Sequence, residues 1–106
     1  MVSELRKDTK KNYKSDYGTV LIQYNANGGS DAPSSHTTTK DSESVVVFNL
    51  SSEIPTRSGY TFLGWRYEDS EEYGIDAPGQ EIVFELGNPT LSETITYYAQ
   101  WVENDS

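Results

Sequence analysis

The sequence predicts a small β-rich domain built on one curved mixed sheet, with at most one short helical turn. Short runs of β-branched and aromatic residues alternate with polar ones, the period-two pattern of half-buried strands. Clusters of Gly, Pro, Asn and Ser punctuate these runs. Five short strands are too few for an ordinary sandwich, so a single folded-over sheet fits the length of 106 residues better.

The first strand is read over 20–25, where Val20, Ile22 and Tyr24 alternate with Leu21, Gln23 and Asn25. Asn27-Gly28-Gly29 ends it, because these residues tolerate the positive φ of a tight turn. The Ser/Thr-rich stretch after it is loop-like, and its threonines lead toward a second strand at 44–50, SVVVFNL. In SSEIPTRSG a serine can cap one helical turn that Pro55 then stops. A third strand, 60–67, carries Tyr60, Phe62 and Gly64 on one face and Thr61, Leu63 and Trp65 on the other, by strict alternation. Gly59 supplies the turn into it, and Gly64 leaves room for a neighbouring ring such as Trp101. After an acidic loop, EIVFEL at 81–86 is the fourth strand. TITYYAQWV at 94–102 is the fifth, with Ile95, Tyr97, Ala99 and Trp101 on one face. Phe62 and Trp65 belong to the core, since a chain with 34% hydrophobic residues has few aliphatics to spare.

Charge divides the chain. The first sixteen residues carry Arg6, Lys7, Lys10, Lys11 and Lys14 against Glu4, Asp8 and Asp16, a sum of +2. The remainder holds only Lys40, Arg57 and Arg66 as basic groups and sums to −11. Residues 1–16 therefore read as a basic polar linker or an added segment, 17–103 as the domain, and 104–106 as a frayed tail. A body this acidic repels phosphate backbones, which argues against nucleic acid as a partner. No stretch of eighteen apolar residues offers insertion into a bilayer. With no cysteine in the chain, disulfides and thiolate metal sites are excluded.

No constellation of catalytic groups or cofactor motif is visible, and no enzyme, cofactor or metal site is expected. The lone His36 reads as a solvent-exposed side chain in a Ser/Thr loop. Lys40 is the one lysine after residue 16. Its polar surroundings argue against the buried amine that a self-formed Lys–Asn cross-link requires. The acidic run 68–76 lacks a calcium-loop ladder and reads as a solvated loop.

Three blocks carry a more specific signal: YNANGG at 24–29, IPTRSGYTFLGWRYE at 54–68 and YYAQW at 97–101. In this order they resemble the Listeria–Bacteroides repeat, also called the internalin B-repeat. The matching positions are Asn27, Gly28, Gly29, Pro55, Arg57, Gly59, Tyr60, Phe62, Gly64, Trp65, Tyr98, Ala99, Gln100 and Trp101. The resemblance implies a β-grasp-like (ubiquitin- or SUMO-like) domain in extracellular, wall-attached bacterial surface proteins. It further implies a non-catalytic stalk or spacer whose partners are neighbouring domains or repeats. The long acidic segments 31–44 and 66–80, and Leu63 at a commonly polar position, depart from the pattern. They leave a second reading, in which Leu63, Tyr67, Tyr73 and Tyr98 with the acidic loops bind a host protein or a glycan.

Overall fold

The computed structural model describes residues 17–105, and the linker expected over 1–16 lies outside the described residues. The described residues form seven strands: β1 (Thr19–Asn25), β2 (His36–Thr39), β3 (Val45–Asn49), β4 (Tyr60–Tyr67), β5 (Ile75–Asp76), β6 (Glu81–Glu85) and β7 (Glu93–Glu103). Five of them make one mixed sheet in the order β2-β1-β7-β4-β5, and β3 and β6 form a separate antiparallel ribbon. The β-rich reading holds, and the described residues contain no helix. The difference is the separate two-stranded sheet, which stands beside the single mixed sheet expected.

The helical turn expected near Pro55 is an extended connection instead. Ser51 Oγ accepts from the Glu53 amide at 3.1 Å, a local turn that satisfies the backbone without helix. The two strands missing from the sequence reading, β2 and β5, are short edge strands of four and two residues. Their register comes from β1 and β4 (Ile22 opposite His36, Trp65 opposite Asp76), so partners distant in sequence create them.

At the centre β1 pairs in parallel with β7, from Val20 opposite Glu93 to Asn25 opposite Tyr98. Strand alternation sends Val20, Ile22, Ile95, Tyr97 and Ala99 to the inner face, all essentially buried. The ribbon closes over them with Val46, Phe48 and Ile82, leaving Val47 and Val83 outside. Aromatic contacts bind the layers: Tyr67 lies 5.1 Å from Phe84 and 5.9 Å from Tyr97, centroid to centroid.

Strict alternation fails in β4. Phe62 pairs with Trp101 and Gly64 with Gln100, so Leu63 is an extra residue in a β-bulge. The insertion flips the phase. Phe62 and Trp65, expected on opposite faces, point the same way and meet edge-to-face at 5.1 Å. Gly64 makes this possible with φ of 139°, and its missing Cβ makes room for Ile75 and the Asp76 carbonyl rather than for a ring. Trp65 is fully buried, and its indole N–H has no oxygen or nitrogen acceptor among the described residues. The rings of Tyr24, 4.9 Å away, and Phe62 are its neighbours.

Lys40 is the main departure from expectation. Its side chain is completely buried; Nζ donates to the Asn88 carbonyl at 2.6 Å and pairs with the Glu93 carboxylate. The cost of burying an ammonium is offset by a charged partner and a carbonyl that the local sequence does not announce. Asn88 offers the amine its main-chain oxygen, while its carboxamide oxygen accepts from Thr90 at 3.0 Å. The carboxamide carbon that a Lys–Asn cross-link would attack is thus held by a different contact.

Two outcomes follow from this packing. Lys40→Ala strands Glu93 and the Asn88 carbonyl and is expected to cost about 2–4 kcal/mol in urea unfolding, with Lys40→Met costing less. The second concerns alkali. Burial, and after it the charge of Asp76, raises the Tyr97 hydroxyl above the ordinary value of 10.0. Burial also raises Tyr24 and, reinforced by Glu68, Tyr67. The folded state therefore holds protons that the unfolded chain releases, so stability is full below pH 10 and falls as pH rises beyond it. Tyrosinate absorbance should appear for these three rings together with the loss of far-ultraviolet circular dichroism; earlier ionisation in the folded state would contradict it.

Candidate functional site

The three sequence blocks converge on one end of the sheet. After β1 the chain turns at Asn27 and Gly28, with φ of 52° and 96°. Asn25 Oδ1 takes the Asn27 amide at 2.7 Å, and the Gly29 amide donates back to the Ala26 carbonyl at 3.0 Å. This turn is then tied to β7 twice. Asn27 Nδ2 donates to the Ala99 carbonyl at 2.8 Å, and the Trp101 indole N–H donates to the Ala26 carbonyl at 2.9 Å.

The segment before β4 completes the arrangement. Ser30 and Thr56 exchange backbone hydrogen bonds at 2.7 and 3.0 Å, with Pro55 buried alongside. Arg57 lies against Gly28 and caps the Tyr60 ring, with the guanidinium carbon 3.6 Å from the ring centroid. The Tyr60 amide closes a turn onto the Arg57 carbonyl through Gly59, whose φ is 84°. Phe62 then packs edge-to-face on Trp101 at 5.6 Å. Ala99 has no exposed surface, which suits its place between these layers. Tyr98 and Gln100 stand on the other face of the sheet; Gln100 Nε2 donates to Asp69 at 2.8 Å.

A model of the Listeria–Bacteroides repeat domain matches residues 21–100. The chain belongs to this family. The Listeria–Bacteroides repeat is a module of bacterial surface proteins, and the residues that spell its signature here interlock the first turn, the entry to β4 and the end of β7. No curated protein and no solved structure matches the chain.

The four residues of the alternative reading divide between the faces. Tyr67 and Tyr73 meet edge-to-face at 4.9 Å on the side of Phe84. Tyr98 lies opposite Arg66 on the outer face, and Leu63 projects from the bulge, 49% exposed. His36 is also placed differently from its sequence reading. Its Nε2 shares a 2.8 Å hydrogen bond with the Tyr24 hydroxyl, which accepts the Ser51 amide at 2.8 Å, so the ring is a structural link between β2 and the chain after β3. Among the described residues no pocket opens and no group of three potential metal ligands gathers. No helix there is long and apolar enough to cross a membrane.

The closeness of the signature contacts predicts an order of sensitivity. A Cβ on Gly29 would sit 2.5 Å from the Thr56 carbonyl oxygen and 2.6 Å from the Trp101 ring. Gly29→Ala should cost about 2–3 kcal/mol through overpacking. Gly59→Ala meets nothing within 4 Å and should cost only the positive-φ penalty of about 1 kcal/mol. Equal melting temperatures for the two variants would refute the packing argument.

Proposed function

We propose that this repeat is a non-catalytic mechanical spacer, placed outside the cell between an adhesive region and the wall anchor of a larger surface protein. One observation carries the reading: the first and last strands of the domain, β1 and β7, are neighbours and run parallel. A pull on the two ends of the domain therefore draws β1 and β7 in opposite directions along their length. Their hydrogen bonds are loaded together, in shear, rather than opened one at a time. Family membership and an acidic, soluble surface support the extracellular setting. The partners on this reading are the adjoining domains or repeats of the same protein.

The reading also takes the fold as β-grasp-like. Its support is the strand order β2-β1-β7-β4-β5 with the terminal strands central and parallel. The ribbon β3–β6 occupies the face that a helix crosses in that architecture.

Single-molecule force spectroscopy tests the mechanical role. Pulled from its ends, the domain should unfold at markedly higher force than when handles on cysteines at Thr19 and Ser92 peel β1 from β7 from one end. Equal forces in the two geometries would remove the support.

A further inference from the structure

Among the described residues no element covers the outer face of the five-stranded sheet, and the composition of this face is unlike the rest of the body. Strand alternation and register place Thr37 and Thr39 of β2, Leu21, Gln23 and Asn25 of β1, and Thr94, Thr96, Tyr98, Gln100 and Val102 of β7 there. β4 and β5 add Thr61, Arg66 and Ile75. No strand position on this face is Asp or Glu, although residues 17–106 sum to −11. The carboxylates lie instead in the loops, on the outer side of the ribbon at Glu81 and Glu85, and on the inner side of the sheet at Asp76, Glu93 and Glu103. Asp69 reaches the rim, held by Gln100.

We propose that this face binds an uncharged polysaccharide. Thr hydroxyls and Gln and Asn amides each donate and accept, as sugar hydroxyls do. Gln23 and Thr96, joined at 3.0 Å, show such side chains already disposed in one row. Docking a neutral chain here desolvates no carboxylate on the strands, and the guanidinium of Arg66 keeps its 2.8 Å bond to the Tyr73 carbonyl. In the row Asn25, Tyr98, Arg66, Ile75, the Tyr98 ring offers a flat apolar surface between hydrogen-bonding groups, suited to the C–H face of a pyranose. Five strands span roughly 19 Å, the length of a few sugar units.

Other occupants fit less well. The acidic surroundings repel polyanionic glycans, and they repel a second copy of the same body. Protein partners favour surfaces rich in aromatics, Met and Arg, and Thr is rare among residues that dominate such binding. The inference concerns a face that the mechanical reading leaves unused, so either can fail without the other.

Affinity electrophoresis of the 106-residue protein provides the test. Native gels would contain dextran, mannan or galactan, with alginate as the charged counterpart. Retardation is expected in at least one neutral gel and absent in alginate. Gln23→Glu, Thr94→Glu and Tyr98→Ala should each weaken it by roughly fivefold or more. Val83→Glu, on the ribbon, should leave it unchanged. Melting temperatures identify the variants that keep the fold, and the comparison uses those. Failure of all three neutral polymers to retard the protein would overturn the proposal. Retardation that survives every folded outer-face substitution, retardation by alginate alone, or sedimentation showing this face paired with a second copy would do the same.

Discussion

The parallel pairing of β1 with β7 is the constraint from which the rest of the architecture follows. A parallel pair cannot be closed by a tight turn and needs a long crossover. Here the crossover is the entire domain between Asn25 and Glu93. Every other strand must form within that excursion and return to one side or the other of the central pair. β2 folds back on β1, while β4 and β5 extend the sheet beyond β7. The ribbon β3–β6 is what remains to cover the inner face, and Phe48, Ile82 and Phe84 supply its apolar side.

Closing so long an excursion is entropically unfavourable until non-local contacts form. The signature residues act at the point where this matters. Trp101 and Asn27 fasten the turn after β1 to the end of β7, and the Ser30–Thr56 bridge brings in the entry to β4. At the opposite end of the β1–β7 pair, Lys40 after β2 reaches Glu93 at the start of β7. The central pair is thus held at both ends by polar contacts that bring together residues far apart in sequence. Between them the core is aromatic and β-branched, as a chain poor in aliphatics requires.

What was legible in the sequence follows the same division between local and distant causes. Alternation in TITYYAQWV correctly placed Ile95, Tyr97, Ala99 and Trp101 together, because β7 is long and one of its faces is buried. The core role of Trp65 and Phe62 was also legible, yet their shared face was not. A bulge is set by the pairing partner, and Leu63 gives no local sign that it is the extra residue. At Gly64 the sequence suggests space for a ring. That space exists at Gly29, where Trp101 lies. The local sequence misplaces His36 and Lys40 for one reason. Tyr24, Glu93 and the Asn88 carbonyl, which justify their positions, are brought there only by the fold. β2 and β5 are likewise induced by their neighbours, and so few residues carry no periodicity to detect.

The distribution of charge separates what every copy of such a fold needs from what this one adds. Most signature residues, buried or braced at one end, hold the chain ends together, while Tyr98 and Gln100 stand on the outer face. Parallel strands generally have both faces covered, and their sequences are then apolar throughout. β1 and β7 depart from this, since their outer positions are largely Thr, Gln and Asn. That pattern keeps the pair soluble without a covering layer. It does not by itself explain why Asp and Glu, which crowd the 68–72 loop, are missing from those positions. Like charges directly across a strand pair are destabilising, but single carboxylates scattered over a wide face are not. Strands disfavour Asp and, less strongly, Glu, yet Glu81 and Glu85 stand on the outer side of the ribbon; an acid-free face suited to a neutral ligand accounts for the difference.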